Sequence, residues 1–280
     1  ATQINVVINS LLASTLGTGA VSWLAYAFRI VFVPIGLYGV ALATVSLPTL
    51  SREATVGDLD KFKNVLVRAL RLAAALSLPA AVGLAVLARP LTALLYEHGR
   101  FTAHDTVQTA SALIAFAVGL AAYSGVKVLV PAFYALSDTK TPLKASFIAV
   151  LVNLGLNLFL MQYWGHVGLA LSTGLTAIFN FTQLWFWLTR KIGKLPAAQL
   201  RRTIVRSTLG SLLMGAVIGA GVLATARWWS ESVLAQAAVL VGGVGLGVVL
   251  VLWFYRLLGL EERSEMLAAA RSVLGRFRPR

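Results

Sequence analysis

Arg29 is the residue most suited to binding chemistry, because it lies in an apolar stretch long enough to cross a bilayer. That stretch, residues 22–51, reads SWLAYAFRIVFVPIGLYGVALATVSLPTLS and contains no acid to pair with the guanidinium. A charge on a membrane helix costs roughly 2.5–3.5 kcal/mol on insertion scales, so it usually faces a cavity and serves a function. The planar guanidinium suits a phosphate group. The pattern therefore favours an anionic ligand over an arginine that snorkels to the outer interface.

The acidic residues leave Arg29 without a counterion in any apolar run. All ten lie in predicted loops or at the ends of runs: Glu53, Asp58, Asp60, Glu97, Asp105, Asp138, Glu231, Glu261, Glu262 and Glu265. No intramembrane carboxylate is therefore available for aspartyl catalysis or a proton relay. The GxSxG, HExxH and P-loop signatures are also absent from the sequence. An enzyme is not predicted.

Lys127 is the second cation within an apolar run, in the segment GVKVLVPAFYAL. Pro131 frees a backbone carbonyl one turn earlier, and the ammonium could satisfy that carbonyl. This structural role and snorkelling to the cytoplasmic face are together favoured over substrate contact. Lys127 nevertheless remains a candidate substrate ligand.

Neutral polar residues recur at helical spacing in the apolar runs. Asn5 and Asn9 share one helix face, as do the pair Ser10 and Ser14, the pair Asn153 and Asn157, and the series Ser172, Thr176 and Asn180, with Thr173 beside that series. Such side chains most often join membrane helices by hydrogen bonds, and this interpretation is favoured for each residue. They could also line a hydrated cavity or coordinate a cation. Asn5 and Ser14 join Arg29 and Lys127 as candidate substrate-binding residues.

The elements that must position these residues are membrane helices. Of the 280 residues 58% are hydrophobic and 12% charged, with a mean hydropathy of +0.81, whereas a soluble domain carries about 25% charged residues. We predict an all-α polytopic membrane protein with eight transmembrane spans: residues 3–18, 22–50, 65–95 (bent at Pro79), 106–136 (with Pro131 inside), 142–163, 167–190, 203–226 and 233–258. Because the chain starts inside an apolar run without Met, we expect a piece of a longer protein.

Basic residues concentrate in alternate loops, which predicts that both ends of the chain are cytoplasmic. The net charge of +14 is therefore explained by the basic residues of the predicted cytoplasmic loops, and no nucleic acid partner is predicted. A basic, proline-containing connector at residues 193–199 divides the chain into 1–192, with six spans, and 193–280, with two spans and a polar tail. The last two spans carry small residues four positions apart, which indicates close helix packing or a groove for a lipid tail.

Several long runs resemble one protein family. QINVVINSLLASTLGTGAVSWLAYAFR, VPIGLYGVALATVSLPTLSREA, EHGRFTAHD and KVLVPAFYALSDTKTPLK are similar to the MurJ (MviN) lipid II flippases of the MOP transporter superfamily. The resemblance covers essentially the whole chain and corresponds to helices seven to fourteen of a fourteen-helix protein. It implies that a first six-helix lobe is missing here and that two lobes enclose a central cationic cavity.

The resemblance also implies roles for particular residues. Arg29 aligns with the essential cavity arginine of the eighth helix, although the preceding residue, often acidic in the family, is Phe28 here. The last two helices would hold the polyprenyl tail. Some relatives have a sodium site at positions that match Asn9, Asn153, Asn157 and Thr173. Because this chain offers neutral oxygens there, sodium should bind more weakly than it does to carboxylates.

These observations predict a flippase that carries lipid II, an undecaprenyl-diphosphate-linked peptidoglycan precursor, outward across the bacterial inner membrane. Its partners would be that lipid, the membrane and the missing N-terminal lobe, with no cofactor apart from the candidate sodium ion. Two alternatives remain open. One is another MOP exporter, for O-antigen lipid or drugs, and the other is a non-transporting scaffold for cell-wall synthesis, which would not need Arg29.

Overall fold

The computed structural model describes residues 2–36, 41–225, 233–260, 262–264 and 266, and every regular element in these ranges is a helix. The helices are α1 (Thr2–Ser14), α2 (Ala20–Pro34), α3 (Ala41–Val56), α4 (Leu59–Val86), α5 (Ala88–Tyr96), α6 (Ala103–Ala117), α7 (Leu120–Ala135), α8 (Lys140–Ile192), α9 (Ala197–Ala224) and α10 (Val233–Leu257). Within these ranges the all-helical prediction is confirmed.

By length and composition, four described helices could cross a membrane, or five when the bent pair α6–α7 counts as one span. The structure thus supports a polytopic membrane protein, while the count of eight spans stays a prediction. One reason for the lower number is that α8 counts once although it contains two predicted spans. Another is that α1 and α2 are apolar but short.

α8 is a hairpin that reverses at Gly165. Gly165 has φ 52° and ψ −130°, a conformation that glycine adopts at little cost because it has no Cβ. Hydrogen bonds then join Asn157 to Ser172 and Asn153 to Thr176, pairs that are centred on the same point of the chain. The two arms, 140–164 and 166–192, therefore run antiparallel, and they correspond to the predicted fifth and sixth spans.

The predicted fourth span is broken at Gly119. α6 and α7 meet there at an angle of 47°, and Pro131, which was predicted to lie inside this span, lies inside α7. A Cβ added to Gly119 would lie 2.4 Å from the Cα of Gly174 on α8. The backbones of α8 and of the α6–α7 junction can therefore touch because Gly119 has no Cβ, and a Cβ on Gly174 would also be tight, 3.1 Å from the Gly119 nitrogen.

The predicted third span is also two helices. α4 begins at Leu59, where the Asp58 carboxylate accepts a hydrogen bond from the Lys61 backbone N–H at 3.0 Å. The helix continues through Pro79, the predicted position of a bend, and it is interrupted at Leu87, before α5. The predicted second span likewise comprises α2 and α3, and residues 37–40 between them lie outside the described ranges.

α9 and α10 pack against α4 and α5 through an apolar cluster that includes Ala75, Leu87, Met214, Ile218 and Tyr255. The small residues allow this approach. A Cβ on Gly215 of α9 would lie 2.4 Å from Cγ1 of Val82, and one on Gly247 of α10 would lie 3.1 Å from Cδ1 of Ile218. Close packing, the first interpretation of the small-residue spacing, therefore describes this interface.

Candidate functional site

A cavity of about 590 Å³ lies between α1, α2, α6, α7 and both arms of α8. Its wall includes the predicted residues Arg29, Lys127, Asn5, Asn9 and Thr173. No aspartate or glutamate lines it among the residues that the structure describes. The wall thus combines two cations with neutral polar groups, which suits an anionic ligand that also carries hydroxyl or amide groups.

α2 holds Arg29 on its exposed side. The helix buries Leu24, Ala27 and Val31, which lie three or four positions apart and form its packed face. The Arg29 side chain is exposed, and its guanidinium carbon lies 5.6 Å from the centre of the Tyr26 ring. The described residues contain no carboxylate that pairs with it. Arg29 therefore keeps its hydrogen-bond donors available to a ligand.

Aromatic contacts take the place of an acid beside Arg29. Tyr26 also packs against Tyr96 of α5, with ring centres 4.5 Å apart, so the ring beneath the guanidinium is anchored to a second helix. Phe28 packs against Phe116 of α6 at 5.7 Å and lines the cavity with it. Phe28, at a position that is often acidic in the resembled family, thus makes an aromatic packing contact in this chain.

Lys127 projects from α7 into the same cavity. Its ammonium lies 5.9 Å from the centre of the Tyr123 ring, and the side chain is half-buried. No hydrogen bond joins it to a backbone carbonyl within the described ranges, so the expected structural role before Pro131 gains no support from the structure. Lys127, for which the sequence favoured a structural role over ligand contact, thus lies in the cavity wall with Arg29.

The four candidate cation-site residues come together in one hydrogen-bonded network. Asn9 of α1 donates from Nδ2 to Thr173 Oγ1 at 3.0 Å. Asn157 donates from Nδ2 to Asn9 Oδ1 at 2.7 Å and to Asn153 Oδ1 at 3.1 Å. Asn153 and Asn157 are fully buried. The network therefore fastens α1 to both arms of α8, as expected of helix-joining side chains.

Two further hydroxyls complete this network. Ser172 donates to Asn157 Oδ1, and Asn153 Nδ2 donates to Thr176 Oγ1 at 3.2 Å. The oxygens of Asn9, Asn153 and Asn157 therefore already accept hydrogen bonds. Each of these oxygens has a second lone pair that a cation could share with the donor already present, but the cation would find neutral ligands alone.

Two other candidates have different surroundings. Ser14 is exposed at the end of α1, outside the cavity wall, and its hydroxyl donates to the Leu11 carbonyl at 2.7 Å. Asn180, which was not among the candidate sites, lines the cavity. Its place in the series Ser172, Thr176 and Asn180 could have indicated that it shares the cavity-facing side of the helix.

A second polar cluster lies away from the cavity, where α4 meets α9 and the residues after α10. Arg71 Nε lies 2.6 Å from Glu262 Oε1, and Thr203 donates to the same oxygen at 2.7 Å. Arg71 also donates to Gln199 Oε1 at 3.1 Å. Glu262 is only 3% exposed, although the sequence placed it in a polar surface tail. Residues 261, 265 and 267–280 of that tail lie outside the described residues.

Asp138, in the α7–α8 connection, ties the two ends of the α8 hairpin together. Its carboxylate accepts hydrogen bonds from the Lys191 ammonium at 2.6 Å and from the Thr141 backbone N–H at 3.0 Å. These contacts, led by that from Lys191, lower the pKa of Asp138 to about 2. The ionised carboxylate therefore helps to hold the arms that carry the amide network.

Comparison with known proteins places this architecture in a family. Residues 1–240 match the family model described as lipid II flippase MurJ. A probable lipid II flippase MurJ of Vibrio cholerae is 36% identical over 266 residues, which are 94% of this chain and 50% of that protein. A structure of lipid II flippase MurJ in an inward closed conformation is similar with a TM-score of 0.74 and 29% identity, over 91% of this chain and 51% of that chain.

A more distant structure shares the fold alone. It is a MOP superfamily transporter from Pyrococcus furiosus, with a TM-score of 0.56 and 17% identity over 91% of this chain and 61% of that chain. The chain spans about half the length of the curated relatives it matches.

Proposed function

The chain belongs to the MurJ family of lipid II flippases, and from that premise we propose that it supplies one half of a transporter that moves lipid II from the cytoplasmic to the periplasmic leaflet. The observation that carries the proposal is a cavity lined by two cations and, among the described residues, by no carboxylate. Transport of this kind needs no covalent chemistry. It needs a polar compartment through which a charged head group can pass.

Arg29 would bind the diphosphate of the lipid. Its guanidinium can donate two parallel hydrogen bonds to phosphate oxygens, whereas the Lys127 ammonium would add a point charge from α7. The Tyr26 ring against Arg29 limits the orientations of the guanidinium without neutralising it. A cation exporter would instead require carboxylates in the wall, so the charge of this cavity argues against a cationic drug as the cargo.

The proposed architecture follows the family. Residues 1–192 would form the second six-helix lobe, and residues 193–280 would add two spans whose outer surface holds the polyprenyl tail. The other lobe would come from the remainder of the full-length protein, and the head group would bind between the lobes, where transporters built from repeats place their substrates. With eight spans, both ends of this chain would be cytoplasmic in the bacterial inner membrane.

The test is the substitution of Arg29 in the full-length protein. We expect Arg29→Ala and Arg29→Lys both to abolish lipid II transport while the protein still inserts into the membrane, because neither replacement keeps the two-pronged contact. Translocation of lipid II in reconstituted vesicles, together with growth when the variant is the sole copy, measures this effect. Arg52→Ala, an exposed arginine at the end of α3, is the matched control and should transport normally.

Normal growth and transport with Arg29→Ala would contradict the cavity role. That result would favour the scaffold hypothesis, because a protein that only recruits cell-wall enzymes would have no use for a cation in a cavity.

A further inference from the structure

Asn5 and Asn180 are polar residues of the cavity wall that the structure leaves without partners. Both line the cavity, Asn5 from α1 and Asn180 from the second arm of α8. The carbonyl oxygen of each is buried and accepts no hydrogen bond, and neither carboxamide makes any side-chain hydrogen bond within the described ranges. A buried polar group without a partner carries an uncompensated desolvation cost, so its presence calls for an explanation.

The neighbouring amides do not share this property. Asn9, one turn from Asn5, is bonded to both Thr173 and Asn157, and Thr176, one turn from Asn180, accepts from Asn153. Of the polar residues that line the cavity from α1 and the second arm of α8, Asn9, Thr173 and Thr176 are therefore hydrogen-bonded, whereas the carbonyl oxygens of Asn5 and Asn180 are not. Since helix joining already uses the bonded residues, the amides of Asn5 and Asn180 are free for another task.

The cavity wall thus contains two chemically different sets of residues. Arg29 and Lys127 on α2 and α7 carry its positive charges, whereas Asn5 and Asn180 on α1 and α8 offer neutral carboxamides. A carboxamide both donates and accepts, and rotation about its last torsion exchanges the two ends. This capability matches the hydroxyl and acylamino groups of a sugar and does not match a bare diphosphate, for which cations are the better ligands.

We propose that Asn5 and Asn180 form a second subsite, which contacts the glycan of the lipid-linked diphosphate while Arg29 contacts the diphosphate. This inference rests on the proposed function, because it assigns the two ends of one head group to the two sets of residues in the cavity wall. The subsite would distinguish lipid diphosphates that carry a glycan from those that do not. A lipid diphosphate without a sugar would satisfy the cations and leave both amides unpartnered.

The experiment compares two lipids on variants of the full-length protein. Asn5→Leu and Asn180→Leu replace the carboxamide by an apolar group with the same branching and the same number of non-hydrogen atoms. Binding is measured for lipid II and for undecaprenyl diphosphate, which has no glycan. We expect each variant to weaken lipid II binding by roughly 3- to 10-fold, the worth of one hydrogen bond, and to leave undecaprenyl diphosphate binding unchanged. Asn64→Leu, at an exposed position on α4, is the matched control and should change neither affinity.

Two outcomes would overturn the proposal. The first is an equal change in the affinities for the two lipids, or no change in either. The second is a clear fall in melting temperature in these variants and also in Asn5→Ala and Asn180→Ala, since that would show that another part of the protein, such as the other lobe, bonds these amides. Replacement of an unpartnered amide by an apolar group should leave stability unchanged or raise it.

Arg29→Ala separates this inference from the proposed function. That variant should weaken the binding of both lipids. If it changed neither affinity while the asparagine variants still discriminated between the lipids, the proposed anion site would fail and the glycan subsite would stand.

Discussion

Arg29 and Arg71 are two arginines in mainly apolar helices, and their surroundings are opposite. Arg71 contacts the buried carboxylate of Glu262, the hydroxyl of Thr203 and the amide of Gln199. Arg29 has an aromatic ring beside it and forms no ion pair with any carboxylate of the described ranges. One guanidinium is enclosed by partners from the chain itself, and the other faces a cavity.

The difference separates a structural charge from a functional one. Arg71 and Glu262 join α4 to the residues after α10, so their hydrogen bonds fasten the last two helices to the rest of the protein. Removing one member of such a pair leaves the other buried and uncompensated. Arg29 joins no helices through a charge pair, so the chain gains little stability from its charge, and the donors remain available for binding.

The amide network of Asn9, Asn153 and Asn157 is a third kind of polar environment, different from those of Arg71 and Arg29. It joins helices as the Arg71 cluster does, yet it contains no charge, and most of its donors and acceptors satisfy one another. The three regions therefore predict three different responses to substitution.

The largest predicted difference is in stability, between Arg71→Met and Arg29→Met. Arg71→Met should lower the free energy of unfolding by roughly 3–5 kcal/mol because it leaves Glu262 buried without its cation. Arg29→Met should change the free energy by no more than about 0.5 kcal/mol, as expected of a side chain without buried partners. Denaturant unfolding of the purified full-length variants measures both.

The double variant Arg71→Met with Glu262→Leu is the control for this comparison. Replacement of a buried pair by apolar residues is often neutral, so most of the lost stability should return. Equal losses for the two single variants would show that Arg29 also has a structural role, and the contrast between the two arginines would then be wrong.

The next prediction converts the neutral network into a charged one. Asn157→Asp places a carboxylate against Asn9, Asn153 and Ser172, where a bound cation could compensate it. We expect the variant to be less stable than wild type without sodium and to gain stability with the logarithm of the sodium concentration, reaching about 2.7 kcal/mol when sodium exceeds its Kd a hundredfold. Melting temperatures in sodium chloride and choline chloride of equal ionic strength measure the effect.

If the melting temperature of Asn157→Asp responded identically to sodium chloride and choline chloride, the hypothesis of a cation site would be contradicted. In wild type, where the same oxygens are neutral and already accept hydrogen bonds, the difference between the two salts should be smaller than in the variant.

The smallest predicted effect concerns the ion pair between Asp138 and Lys191. Because the pKa of Asp138 is lowered from 3.8 to about 2, its contribution to stability is complete above pH 4 and disappears as the pH falls through 2. Lys191 is 41% exposed, so this contribution should be only about 1 kcal/mol. Melting temperatures at pH 5 and pH 2 should differ less in Asp138→Asn than in wild type, and an unchanged difference would contradict the assignment.

Much of the cavity could be predicted because it depends on local patterns. A charge in an apolar run, amides four residues apart and the series on the second arm of α8 are all visible without coordinates. The pairing of Arg71 with Glu262 was not visible, because it joins residues far apart in the chain, and the prediction treated Glu262 as part of a solvated tail. The break at Gly119 was missed for a similar reason, since it depends on contact with Gly174.

The amino-acid sequence by itself determined the helical membrane class, the family and the excess of cations over acids in the apolar runs, because hydropathy, spacing and composition are properties of the local chain. Only the tertiary structure decided which polar groups satisfy one another. It paired Arg71, enclosed the amides of Asn153 and Asn157, and left Arg29, Lys127, Asn5 and Asn180 around one cavity. Hydrogen-bond satisfaction depends on which helices meet and at what distance, and backbone contacts such as Gly119 against Gly174 determine that distance.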